Sequence, residues 1–217
     1  MRQLPADKYN VAWFKLAEFV ARGERERALG LYKLLVHSFD SLALAHQLEG
    51  DLLLSFNDTK QACQKYEQAI ELYKSQHKII EAAALYEHLI LLEPLNSDYL
   101  IQIMHLYDQL EQDARLLVHL EQLCRHLIEQ KEYEQLNFYS AQWEPKIYCN
   151  KGELYKTITV LLIKKNALST VVKYYLKKTM ECLIINNNSS VLQTFLSTIE
   201  TLHYDYYHEA TLQLQEL

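Results

Sequence analysis

The sequence predicts an all-α fold, and three observations carry that prediction. The chain has 217 residues but only 4 Gly and 3 Pro, where ordinary usage would supply roughly 26 of the two together. A β-sandwich, barrel or propeller needs more turn-formers than that. No glycine-rich phosphate loop and no Pro/Gly-rich tract is left either. Apolar residues also recur three and four apart, which puts them on one face of a helix. Leu31, Leu34 and Leu35 form one such stripe; Leu48, Leu52 and Leu53 another; Leu85, Leu89 and Leu92 a third. Finally, the breaks between stripes carry helix-cap chemistry rather than strand turns. At 49% apolar and 23% charged residues, the composition is that of a globular chain, not a disordered one.

Taken in order, Pro5 opens a first helix over 6–22, because proline is tolerated in a first turn. Gly23 ends it, and a second helix covers 24–38. Asp40-Ser41 caps a third at 41–56, in which Gly50 marks a close helix crossing. Asn57-Asp58-Thr59 caps 59–75. The next helix, 78–92, stops at Pro94, and Asn96-Ser97 caps 97–109. Helices at 112–129 and 132–143 follow, the latter stopped by Pro145. Asn150-Lys-Gly-Glu153 reads as a capping box for 151–164. A helix at 167–185 runs into Asn186-Asn187-Asn188-Ser189, the clearest loop in the chain. Ser190-Val-Leu-Gln193 reads as a second capping box, opening a long last helix at 190–213. About eleven helices joined by short turns must lie antiparallel to their neighbours, as in a solenoid or bundle.

The turns resemble one another. Gly23-Glu-Arg-Glu-Arg-Ala28, Asn57-Asp-Thr-Lys-Gln-Ala62, His77-Lys-Ile-Ile-Glu-Ala82, Gln109-Leu-Glu-Gln-Asp-Ala114 and Lys131-Glu-Tyr-Glu-Gln-Leu136 each end in a small or apolar residue. Tyr32, Tyr66, Tyr86 and Val118 stand four further on. A small residue is what a close crossing needs, and a ring one turn later fills the gap beside it. Ala82-x3-Tyr86-x2-Leu89-x4-Pro94 resembles the second helix of a tetratricopeptide repeat (TPR). Gly50 and Leu53 are similar to the small and large residues of that family's first helix, as are Trp13, Leu16 and Ala17. The resemblance covers roughly residues 10–145.

It implies a right-handed α-solenoid of antiparallel helix pairs. Residues 1–145 would be TPR-like repeats, and 146–217 degenerate helical repeats with a C-terminal capping helix, in one continuous solenoid. The marker residues lie 34, 20, 32 and 22 apart, so the register of 78–109 and of everything after 145 stays open. A looser TPR-like superhelix, as in vesicle-fusion adaptors, is the alternative. In the family the first helices line a concave groove; here they would be 6–22, 41–56, 78–92, 112–129 and 151–164. The matching exposed positions are Trp13, Ala17, Gln47, Asp51, Leu54, Glu121, Arg125 and Ile128. They lack the Lys, Arg and Asn set of a chaperone-tail clamp. Tyr99 and Tyr107 are further aromatic candidates, since Tyr and Trp bring rigid area with a polar handle. The expected partner-binding residues are therefore Trp13, Gln47, Asp51, Tyr99, Glu121 and Arg125.

Catalytic chemistry has little to stand on. The nine His form no HExxH and no zinc-ligand spacing with Cys. His119, Cys124 and His126 lie on different helix faces or too far apart for one ion, and His203 and His208 are equally poorly spaced. No nucleophile stands with a positioned base. The expectation is no enzyme, no metal and no cofactor. Cys63, Cys124, Cys149 and Cys182 are widely spaced, which fits a reducing compartment. MRQLPADKYN has no apolar core of a signal peptide, and no apolar run approaches the ~20 residues of a spanning helix. Those features predict a soluble cytoplasmic protein.

Charge is segregated. Residues 145–180 hold eight lysines (146, 151, 156, 164, 165, 173, 177, 178) and one acid, Glu153, for a net +7. Residues 1–144 carry −8 and residues 181–217 carry −5. Lys164, Lys165, Lys173, Lys177 and Lys178 form a candidate basic patch for an acidic partner. The stretch has no Arg for bidentate phosphate or guanine readout, which disfavours nucleic acid. The plainer reading is solvated lysines facing the acidic terminal helices, with Lys164 and Lys165 set against a helix dipole. The function expected is a protein-interaction scaffold or adaptor binding a peptide or partner protein. A structural subunit of a larger assembly and a dedicated chaperone are the alternatives.

Overall fold

The computed structural model describes residues 6–147, 151–185 and 189–215. Among these the chain is helical and has no strand. The helices are α1 (Ala6–Ala21), α2 (Arg25–Leu35), α3 (Leu42–Ser55), α4 (Thr59–Ser75), α5 (Ile79–Leu92), α6 (Ser97–Gln109), α7 (Asp113–Gln130), α8 (Tyr133–Trp143), α9 (Lys151–Lys164), α10 (Ser169–Ile185), α11 (Ser189–Leu202) and α12 (Tyr204–Gln215). Short 3-10 turns follow α2 (Val36–Ser38) and α8 (Glu144–Lys146). The chain forms two compact units, Met1–Pro94 and Leu95–Leu217. No helix among the described residues is long and apolar enough to cross a membrane.

In the first unit α2 packs on α1, and α4 packs on both α3 and α5. Leu16, Ala28, Tyr32, Leu35 and Leu52 are buried together, with Trp13, Phe19, Phe39 and Leu48 half-buried against them. The Tyr32 hydroxyl donates to the Ala45 carbonyl, so a second-helix ring is tied to the next helix. In the second unit α7 packs on α6 and α8 on α7, while α10 packs on α9, α11 on α10 and α12 on α11. Alternate helices also touch: α9 lies on α7, α11 on α9, and α12 on α10.

Three expected caps are made by side chains. Ser41 accepts from Leu44 N–H (3.3 Å), Asp58 from Gln61 N–H (3.3 Å) and Asn96 from Asp98 N–H (3.2 Å). Asn150 and the loop residues 186–188 lie outside the described residues. Ser190 is not a cap, because α11 begins one residue earlier, at Ser189.

A repeated turn closes six helices. Gly23, Asn57, His77, Glu111, Lys131 and Asn166 all have φ between +49° and +71°. At each, the following N–H bonds back five residues: Glu24 to Phe19, Asp58 to Leu53, Lys78 to Tyr73, Gln112 to Tyr107, Glu132 to Leu127 and Ala167 to Leu162. This left-handed cap satisfies carbonyls that a helix end otherwise leaves bare. The six residues fall 34, 20, 34, 20 and 35 apart, so the turns beat with a period of 54 or 55 residues, or three helices. The connections that break the beat carry Asp40-Ser41, Pro94 and Pro145.

This geometry corrects one marker. Counted from Glu111, the residue in register is Leu116, with Leu120 one turn on, and both are fully buried. Ala114 is exposed and Val118 is 61% exposed; sequence similarity alone had set that segment two residues early. In this register Ala28, Ala62, Ala82, Leu116 and Leu136 are all buried. So are Tyr32, Tyr66, Tyr86, Leu120 and Ser140, one turn later.

The single long helix expected at 190–213 is instead two. His203 breaks it, its N–H donating to Ile199 O (2.7 Å) and its carbonyl accepting from Tyr207 N–H (3.2 Å). A straight helix there would run about 36 Å, while its partner α10 offers only about 25 Å of length. Bending returns α12 to α10, where Ala210 is buried and Glu209 meets Lys173 at 2.9 Å.

Only one of the six left-handed positions is Gly. A side chain there costs about 1 kcal/mol, more than Gly loses in unfolded-state entropy. Lys131→Gly is therefore expected to raise unfolding stability by about 0.5 kcal/mol. Chemical denaturation checks this, and a loss of stability would contradict the strain argument.

Candidate partner-binding site

The apolar run Thr159–Ile163 makes two covered faces of α9. Leu154, Tyr155, Ile158, Thr159, Leu162 and Ile163 are buried, on the side where α10 packs. Lys156, Thr157, Val160 and Leu161 are half-buried on another side, with the two apolar residues one turn after the two polar ones. They face a groove of about 240 Å³ completed by Arg125 of α7 and by Thr194, Phe195 and Thr198 of α11. Helices α7, α9 and α11 thus contribute one wall each. Thr194 and Thr198 donate their hydroxyls to backbone carbonyls within α11, so toward the groove they offer oxygen lone pairs only.

Charges ring this groove unevenly. Arg125 is exposed. Among the described residues no carboxylate lies within ion-pair distance of it, although Glu121 one turn earlier feels its charge. Lys156 pairs with Glu153 at 2.5 Å. Burial raises the Glu121 pKa. Arg125 opposes that shift, Glu153 adds to it, and Lys156 also opposes it. The guanidinium is the donor in this wall without an ion-pair partner.

A second groove lies in the first unit, with a volume of about 300 Å³. It is lined by Gln47, Asp51, Glu81, Ala84, Leu85 and His88. Two rings of α4 hold its polar residues: Tyr73 O–H donates to Gln47 Oε1 (2.9 Å) and Tyr66 O–H to Asp51 Oδ1 (2.7 Å). Burial, joined by the hydrogen bond to Asp51, holds the Tyr66 phenol well above its usual range. The Nε2 of His88 is shielded from solvent without a hydrogen-bond partner, and the ring sits edge-on to Tyr66 (5.0 Å).

The structure therefore brings Gln47 and Asp51 together, and sets Arg125 one turn from Glu121. It does not join the other expected residues to them. Trp13 is half-buried against Phe39, ring centres 5.8 Å apart, in the core of the first unit. Tyr99 is buried on α6, in one stripe with Ile103 and Tyr107, and offers little surface. Ile128 is buried on α7. The groove residues that sequence reasoning missed are Lys156, Thr157, Val160, Leu161, Thr194, Phe195 and Thr198. Their signal was present: a second apolar stripe on α9, half a helix turn from the core stripe.

Most of the lysine-rich segment is internally paired. Lys146 meets Asp108 (2.8 Å), Lys151 meets Glu144 (3.7 Å), Lys165 meets Glu129 (3.5 Å) and Lys173 meets Glu209 (2.9 Å). Lys177 lies 3.9 Å from Glu181. Lys178 contacts Glu144 (3.0 Å) and the Tyr155 hydroxyl (3.2 Å). Lys164 ends α9, where its charge is favourably placed at the negative end of the helix dipole.

Among the described residues no group of three His, Cys, Asp or Glu stands close enough to hold a metal ion. Cys63 and Cys124 are buried free thiols; Cys182 is half-buried and also free. Burial pushes the Cys63 thiol up to about 11 and Cys124 up to about 12, away from nucleophilic thiolate chemistry. Cys149 lies outside the described residues. The class that fold and grooves define is, among the described residues, an all-helical protein with surface clefts. No protein-family model matches the chain, and no curated protein matches it either.

Proposed function

We propose that the chain is a non-enzymatic interaction scaffold or adaptor that holds a peptide or partner protein in a concave groove. The solenoid would be right-handed and TPR-like, built of antiparallel helix pairs. One observation carries this reading: Arg125, Val160, Leu161 and Phe195, from three side-by-side helices, meet in one cleft. Contacts between alternate helices support it, because stacked repeats expose a continuous face made of every second helix. The inert thiols and the thin catalytic inventory favour binding over chemistry.

The test begins with affinity capture by the intact chain from its native host and mass spectrometry of what is retained. Arg125→Glu is then expected to weaken the captured partner's binding by about tenfold, with an unchanged circular dichroism spectrum because Arg125 is exposed. Unaltered affinity would remove the groove from the site.

A second reading, a structural subunit of a larger assembly, is favoured by the end helix α1, where Phe14 is 77% exposed and Val11 is also exposed. Salt separates a lysine-held partner from an apolar one, because exposed ion pairs are screened within about 10 Å at 0.1 M salt. A partner released at moderate salt would point to the lysine-rich segment. Retention would point to the grooves or to α1.

A further inference from the structure

We infer that the α7–α9–α11 groove takes a peptide segment in which a side-chain carboxylate is followed closely by a large apolar side chain. This rests on the scaffold reading above and adds the chemistry of the partner. The groove's polar equipment is one-sided. Arg125 presents a planar set of N–H donors that make no ion pair among the described residues, although the Glu121 carboxylate one turn earlier feels their charge. An exposed guanidinium at the edge of an apolar cleft binds a carboxylate through two parallel charge-assisted hydrogen bonds. Lys156 adds positive charge to the same wall, although Glu153 shares it.

The floor demands the second half of the motif. Val160 and Leu161, backed by the buried Phe195, form an apolar surface in a cleft of about 240 Å³, too small for a folded domain and of a size for one or two side chains. A cationic partner is disfavoured by Arg125 and Lys156. A purely polar partner would leave the floor against water. Nucleic acid fits poorly, because the one aromatic in the lining, Phe195, is buried beneath the floor and presents no face for base stacking. An acidic residue beside Leu, Ile, Met or Phe satisfies both parts at once.

The experiment is selection of a random twelve-residue peptide library on the immobilised full chain. It is followed by affinity measurement of the leading peptide and its Asp→Asn or Glu→Gln analogue, on the native chain and on Arg125→Gln. Enriched sequences should share an acid next to a large apolar residue. Removing the peptide's carboxylate should weaken binding to the native chain by about tenfold, the scale of one charge-assisted hydrogen bond, and leave binding to Arg125→Gln unchanged. Enriched peptides without an acid, or equal losses on both chains, would overturn this inference and leave the scaffold reading standing. No enrichment above bare support would overturn both.

Discussion

Gly50→Ala should destabilise the first unit by about 1 kcal/mol net, although alanine is the better helix former. A Cβ at Gly50 would stand 2.6 Å from Tyr66 Cε1 and 2.8 Å from Cδ1, closer than atoms can approach. The ring has nowhere to go: Tyr66 is fully buried, and its hydroxyl is tied to Asp51 at 2.7 Å. Either the α3–α4 crossing widens or the ring leaves its rotamer, and overpacking of this kind costs about 1–3 kcal/mol. The helix-propensity gain of about 1 kcal/mol offsets only part of a clash with a fixed ring. Gly30 supplies the control. It lies within α2 with nothing inside 4 Å of an added Cβ, so Gly30→Ala should stabilise by about 0.5–1 kcal/mol. Urea unfolding of both variants, and of Gly50→Ala combined with Tyr66→Leu, tests the mechanism. If Gly50→Ala costs as much without the ring as with it, the crossing argument is wrong.

Gly50 shows what was legible in advance. A lone glycine inside an apolar helical stripe has few explanations, and close approach is one of them. The caps at Ser41, Asp58 and Asn96 were legible for the same reason, since each rests on local chemistry. Register was not. The left-handed caps at Glu111 and Lys131 use residues with no preference for φ > 0, so no composition signal marks them. Likewise Ala114 resembled the true marker Leu116 because both open α7 in a polar context. The break at His203 follows from the length of α10, which is a tertiary fact. The candidate site divides in the same way. Arg125, Gln47 and Asp51, chosen by position on helix faces, do line grooves. Tyr99 was misjudged because an amphipathic aromatic looks the same on a core stripe as on a groove.

The lysine-rich segment was legible as charge but not as pairing, and its best-shielded member yields the second large effect. Lys178→Met should lower stability by about 2 kcal/mol at neutral pH. Lys178 and Glu144 have side chains only 25% and 29% exposed. The ammonium also lies 4.9 Å from the Tyr155 ring centre and 5.5 Å from that of Tyr174. Removing one member of a shielded pair leaves the other charge poorly solvated, a cost of about 3–5 kcal/mol for full burial and less here because water reaches both groups. The pH dependence identifies the cause. Burial alone would raise the Glu144 carboxyl; the Tyr155 hydroxyl, Lys178 and Lys151 outweigh it and hold the carboxyl below its usual range. A carboxylate lowered in the folded state stabilises fully above its unfolded pKa, and that contribution is lost as pH falls through the folded value. Without Lys178, burial regains ground and the Glu144 pKa rises. The protonated, neutral form then becomes tolerable in acid, and the penalty shrinks as pH falls. The gap between native and Lys178→Met stability should therefore be widest near pH 7 and close below pH 4. Denaturant titrations across that range measure it, and a gap independent of pH would mean that Lys178 acts by packing its stem on Tyr155 and Tyr174 rather than through Glu144.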